Sequence, residues 1–416
     1  MYIIIKTLIV LTCIIVVSIL FRSSAYAHGF GERYDLPIPL NYFLIGAAAT
    51  VALSFAIISW FIRQGTKQDE YPRFNIYKWG PVRSVCRWGG KFIGLFSVLL
   101  LILTVFAGLF GTSKALDNFA PTFVWIIWWV GISYLVALLG NIWAIANPLQ
   151  VFFGWLENVF GKQEKPLVNW PKRLDAWPSL TLFLLFAWVE NVYIEASRPF
   201  NLAILILLYS LVTLVGMVLF GKYVWLKNGD PFSVLFALFA RFSPTEVRIT
   251  KSETGTAICS ICVSKCADKV DLPDCVDCYE CWERADEGQK HFSLRPWAMG
   301  LSRGEKVTPA LMAFHVTALA TVTFDGLSET PAWVWAKTTL WPIIDPLPGQ
   351  PMSTIESLGL LIIPTVFALA YIQICNLVSM MSGNQMSGRD VVMSFVFALV
   401  PIALAYNLSH YLSFLM

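Results

Sequence analysis

The chain is predicted to be an all-α polytopic membrane helix bundle, with about eight spans behind a signal segment and a small cytoplasmic Cys-rich insertion. Three observations predict it. Of 416 residues, 57% are hydrophobic, 15% aromatic and only 14% charged, too apolar for a soluble domain of this length. Runs of about 20 apolar residues, enough to cross about 30 Å of hydrocarbon at about 1.5 Å per residue, recur along it. Loops rich in Lys and Arg alternate with loops that nearly lack them.

The first element carries Lys6, an apolar core from Thr7 to Phe21, and then Ser23-Ser24-Ala25-Tyr26-Ala27. Small residues at Ala25 and Ala27 predict a signal peptide over 1–27, cut so that the mature chain starts at His28. Arg22 speaks for the alternative, an uncleaved anchor helix; His28 lies outside in either case. Apolar runs at 41–62, 92–111, 122–143, 179–195 and 199–220 make a first membrane unit, 28–220, and those at 308–326, 356–378 and 391–412 a second, 307–416. Between the first two spans come Arg63, Lys67, Arg73, Lys78, Arg83, Arg87 and Lys91, whereas 112–121 offers only Lys114. Loops 144–178 and 221–307 are again basic, and the loops between carry only Arg198 and Lys337. The positive-inside rule therefore predicts a mature N-terminus outside the membrane, eight spans and a C-terminus outside. A formal net charge of +3, spread over lipid-proximal loops, is not the footprint of a nucleic-acid-binding face.

The soluble segment 221–306 opens with Pro231 to Phe242, whose Phe232, Leu235, Phe236, Leu238 and Phe239 have the spacing of a helix lying on the membrane surface. Ser243-Pro244 ends it. Segment 144–178 holds Trp155, Trp170 and Trp177, expected at the headgroups, and the outer loop 327–355, with Trp333, Trp335 and Trp341, is expected as a lid on the interface.

Six cysteines, Cys259, Cys262, Cys266, Cys275, Cys278 and Cys281, crowd into 23 residues of the inner segment. Paired CxxC turns point sulfurs toward one ion, and two pairs close a four-sulfur zinc site. Six ligands exceed what one zinc needs, so an iron–sulfur cluster on four of them, or a spare redox pair, stays open. Asp268, Asp271, Asp274, Asp277 and Glu280 raise the cost of concentrated thiolates unless a cation compensates. Cys13, Cys86 and Cys375 read as ordinary small apolar residues.

Charged groups inside a span are expensive and so are candidates for function. Glu190, Asp325 and His410, with Asn407 one helical turn before the last, all fall in the outer leaflet by depth, on the side of His28. Such a pocket suits binding a metal or activating water. A free α-amine and imidazole at His28 would chelate copper together. The plainer alternative is that these groups cross-link helices through hydrogen bonds. His315, deeper on the inner side, reads as a buried hydrogen-bonded histidine rather than a ligand.

The segments AHGFGERYDLPIPL, NIWAIANPLQ, AWVENVYIEASRP, LFGKYVWLKNGDPFSVLFALFARFSP, TVTFDGLSETPAW and AYNLSHYLS, in that order over nearly the whole mature chain, resemble bacterial polytopic membrane proteins labelled fenitrothion hydrolases. That resemblance implies an inner-membrane protein and, for some relatives, hydrolysis of organophosphate triesters, with no established catalytic set to carry over. Two departures matter: the Cys module is an elaboration that many of those proteins lack, and Asn407 stands where they tend to carry a second histidine. Three functions follow as expectations. One is metal-assisted hydrolysis of a small-molecule ester, with Asp325, Glu190 and His410 catalytic and His28 a ligand. The others are a transporter or metal-handling protein, and a non-catalytic scaffold whose zinc module docks a cytoplasmic protein partner.

Overall fold

A computed structural model describes residues 71–161, 166–250, 274–302, 307–346, 349–383 and 385–415, with Ile45 and Ala49 ahead of them; in 408–415 it describes the backbone alone. The predicted signal peptide, His28, the span 41–62 and Cys259, Cys262 and Cys266 lie outside the described residues. The described part is mostly helical, and six of its helices are long and apolar enough to cross a membrane. The protein is an integral, multi-pass membrane protein.

β1 (Phe74–Asn75) precedes α1 (Gly80–Phe110), the first of these spans. α1 turns Phe92, Phe96, Leu99, Ile102 and Phe106 outward, as a lipid-facing helix does, and buries Gly94, Val98, Thr104 and Gly108. A Cβ at Gly108 would lie 2.7 Å from the Cβ of Ala203 and from the carbonyl of Pro199. Small residues thus let α1 approach α5 closely. α2 (Phe119–Leu139) follows, its start capped by the Asn118 side chain accepting from the Ala120 amide at 2.9 Å. After α3 (Pro148–Phe160) comes α4 (Trp177–Asn191), then α5 (Pro199–Phe220). The span expected at 179–195 is a 15-residue helix, about 22 Å long at about 1.5 Å per residue. It falls short of the hydrocarbon thickness because turns at Val192 to Ser197 end it.

Past α6 (Lys222–Asn228), α7 (Pro231–Ala240) corrects the expected surface helix. All of it except Ser233 and Ala237 is buried, with Phe236 at 0% exposure. Val234 and Leu238 make an apolar surface on the side opposite the phenylalanines, and a helix apolar all round belongs in a core. α7 packs among α2, α4 and the last helix, with Trp128, Trp129 and Phe186 edge-on to Phe232.

The Cys-rich insertion departs from the all-α expectation. β2 (Thr245–Thr250), β3 (Asp274–Val276) and β4 (Lys290–Leu294) join β1 in an antiparallel sheet of order β1-β4-β2-β3, with α8 (Tyr279–Arg284) packed on it. Val247 and Ile249, two apart on β2, share a face and form a small core with Cys275, Cys278, Cys281 and Trp282.

α9 (Pro309–Ser328) is the most buried span, packed on α4 and α11. The outer loop expected as an interfacial lid contains a helix, α10 (Pro331–Ile344), capped by Thr330. α11 (Pro351–Met381), α12 (Gly388–Phe395) and α13 (Val400–Leu415) complete the chain.

Candidate metal centre

The Cys275-Val276-Asp277-Cys278 turn begins as the last strand residues of β3, where Cys275 pairs with Ile249 and Asp274 with Thr250. Asp277 then adopts φ 54°, the left-handed conformation that Asp tolerates better than most residues. Two bonds hold it there: its amide donates to the Val247 carbonyl at 2.7 Å, and its Oδ1 accepts from the Val247 amide at 3.1 Å. The reversal aims Cys278 back toward Cys275. Cys278 caps α8, its Sγ accepting from the Cys281 amide at 3.5 Å, and Cys281 sits one turn on, on the same face.

All three sulfurs lie within 4.8 Å of one another, and all three side chains are buried. Tetrahedral zinc with bonds of about 2.3 Å needs sulfurs about 3.8 Å apart, so closure takes a contraction of no more than about an ångström. The donor set is sulfur only, and its neighbours are acidic. Glu280 is buried and held by Arg284 at 2.9 Å, and Asp277 faces Arg295 at 3.8 Å. Burial first, and then the charge of Asp277, pushes the Tyr279 phenol up. Concentrated thiolates in such surroundings fit a bound cation. Cys275, Cys278 and Cys281 could therefore hold a metal ion.

A second buried cluster ties this module to the membrane helices. Glu246, on the opposite face of β2, accepts from the Tyr71 hydroxyl at 2.6 Å and pairs with Arg73 at 2.7 Å and Arg295 at 3.2 Å. Burial, then the bond to Glu246, raises the Tyr71 pKa. Arg295 also donates to the carbonyls of Ser243 and Ala240 at 3.1 Å each, satisfying the C-terminal end of α7. Thr245 donates to the Leu139 carbonyl at 2.6 Å, and Lys222 bridges Glu157 and Glu283. Between module and bundle lies a cavity of about 280 Å³, walled on one side by Val276 to Glu280 and on the other by Arg241, Leu311 and His315.

The remaining sequence candidates sit elsewhere. Glu190, near the far end of α4, accepts from the Trp129 indole at 2.7 Å. Asp325 is half-buried near the far end of α9, its carbonyl accepting from Ser328. Asn407 is buried in α13, and its carbonyl accepts from Tyr134 at 2.9 Å. His410 lies on the described backbone of α13, but its side chain is outside the described part. Among the described residues, no other trio of His, Cys, Asp or Glu brings its ligand atoms as close as the three cysteines. His315 is hydrogen-bonded through Nδ1 to the Leu311 carbonyl at 2.5 Å. Sequence reasoning passed over Glu356, buried in α11 and bonded to Trp333 at 2.9 Å and Lys337 at 3.1 Å. An acid in the first turns of an apolar run was the available signal.

No family model matches the chain, and no solved structure matches it. Over 82 residues it is 28% identical to very long chain fatty acid elongase 4 of Homo sapiens and, equally, to that of Macaca mulatta. The stretch is 19% of this chain and 24% of each relative, so the chain spans about a quarter of the length of the curated relatives it matches.

Proposed function

We propose that the chain is a bacterial inner-membrane metalloprotein in which a cytoplasmic, thiolate-bound zinc ion organises a soluble cap on the membrane bundle, a scaffolding role rather than a catalytic one. The convergence of Cys275, Cys278 and Cys281 carries this reading. In this reading the fourth thiolate is one of Cys259, Cys262 and Cys266, the other cysteines of the same CxxC-type spacing, which lie outside the described residues. A zinc ion bound there would neutralise the thiolates and lock the β3–α8 turn. A closed four-sulfur shell leaves no open position for substrate, which is why the role is structural.

Metal analysis of the purified chain tests it. One zinc per chain is expected, lost when Cys275 and Cys278 are both changed to serine; iron with inorganic sulfide, or metal retained by that variant, would overturn the assignment.

A second reading is hydrolysis of organophosphate-type esters at the other end of the bundle. It is supported by the resemblance to fenitrothion hydrolases and by the packing of α4 on α9, the helices that carry Glu190 and Asp325. In this reading Asp325 or Glu190 is the base and His410 a ligand. Asp325→Asn and His410→Ala should each then cut organophosphate turnover at least ten-fold in membranes holding folded protein; unchanged turnover in both dismisses it.

A further inference from the structure

The cavity between the cysteine turn and the membrane helices is lined by His315 and Trp143, and each of these carries a buried polar atom with no hydrogen-bond partner, Nε2 and Nε1 respectively. Each side chain is only 5% exposed. Their requirements are complementary. The Leu311 carbonyl can only accept, so the His315 Nδ1 that meets it at 2.5 Å carries the proton, and Nε2 of the neutral ring is an acceptor. An indole N–H can only donate. Leaving a buried donor or acceptor unmade is costly, and a single occupant that offers an O–H to one and an oxygen to the other relieves both.

Charge narrows the occupant further. Lys227 is exposed, and Arg241, stacked on the Phe397 ring at 4.1 Å and donating to the Gly300 carbonyl at 3.4 Å, lines the same cavity. The acids that share the wall are answered inside the module: Glu280 by Arg284 at 2.9 Å, and Asp277 by the Val247 amide at 3.1 Å and Arg295 at 3.8 Å. Tyr279 meets the Asn141 carbonyl at 3.5 Å, and Tyr223 donates to Glu283. At about 280 Å³ the space is at the small end of ligand pockets, which run from about 300 to 1,000 Å³.

We propose that this cavity binds a phosphate-type oxyanion that still carries a proton: inorganic phosphate, a small phosphate monoester, or the phosphomonoester headgroup of a lipid. The O–H donates to Nε2 of His315, a phosphate oxygen accepts from Nε1–H of Trp143, and Lys227 and Arg241 supply countercharge. The site does not depend on zinc being the metal in the cysteine turn.

Two arms separate the sources. In one, inorganic phosphate is titrated calorimetrically into the full chain in phosphatidylcholine nanodiscs, beside sulfate, which has no proton to give at neutral pH. In the other, native mass spectrometry follows retention of phosphatidic acid by the chain released from discs that contain it. Saturable binding of one phosphate per chain is expected, with sulfate at least ten-fold weaker. His315→Phe and Trp143→Phe should each weaken binding about ten-fold or more, with metal content unchanged. Lys227→Ala, at an exposed residue, should weaken it several-fold and serves where a buried variant fails to fold. Retained phosphatidic acid that these variants release would support the site and assign it to lipid. Failure of both arms, equal binding of sulfate, or binding untouched by the variants would overturn the proposal.

Discussion

The two ends of this bundle treat buried polarity in opposite ways. At the end that carries the sheet, polar groups are pooled: Glu246 collects Tyr71, Arg73 and Arg295, and three sulfurs converge beside it. At the far end they are dispersed over separate pairs, Glu190 met by Trp129 and Glu356 by Trp333 and Lys337, with Trp188 donating to Ser357 at 2.8 Å. Indoles are apolar bodies with one donor, suited to cross-linking helices inside an apolar bundle. Pooled groups depend on one another, whereas dispersed ones fail singly.

The sharpest way to break that contrast is Arg295→Met. With both side chains at 0% exposure, it strips Glu246 of its buried partner and should cost about 3–5 kcal/mol, read as a fall in the thermal midpoint. Changing Glu246 to Met as well should restore much of that loss, whereas additive losses would mean the cluster is not a unit. Smaller is the effect of Trp129→Phe, which removes one donor from Glu190 and should cost about 0.5–2 kcal/mol in the same assay. It should leave the metal content alone; coupling to the cysteine end would contradict dispersal.

Smallest is a pH effect at Asp230, which caps α7 and accepts from Tyr209 at 2.5 Å and from the Ser233 amide at 2.9 Å. Burial holds its pKa above the ordinary 3.8. The folded state therefore prefers the protonated acid, a contribution that is complete below pH 3.8 and is lost as pH rises through the folded value. Asp230→Asn should flatten stability against pH just above 3.8, and an unchanged slope would assign the titration to another group.

Much of the architecture was legible because long apolar runs admit few alternatives in a bilayer. The burial of α7 was legible too, had Val234 and Leu238 been weighed as a second apolar face opposite the phenylalanines. The sheet was not, since β1 is two residues long and its partner Leu294 lies beyond α1 to α7 in the chain. Convergence of sulfurs was readable from the spacing of Cys275, Cys278 and Cys281. That Trp143 and His315 line one cavity was not, because no local periodicity relates positions so distant.

The pairing of Phe74 with Leu294 has a consequence for how the chain is made. At about 5–20 residues per second on the ribosome, β4 emerges about 10–40 s after β1. Over that interval the membrane helices between the two strands are made, and the short leading strand waits at the membrane without its neighbour. The soluble cap therefore cannot mature ahead of the rods it sits on, and a translational pause between them would lengthen the time a nascent chain spends half assembled.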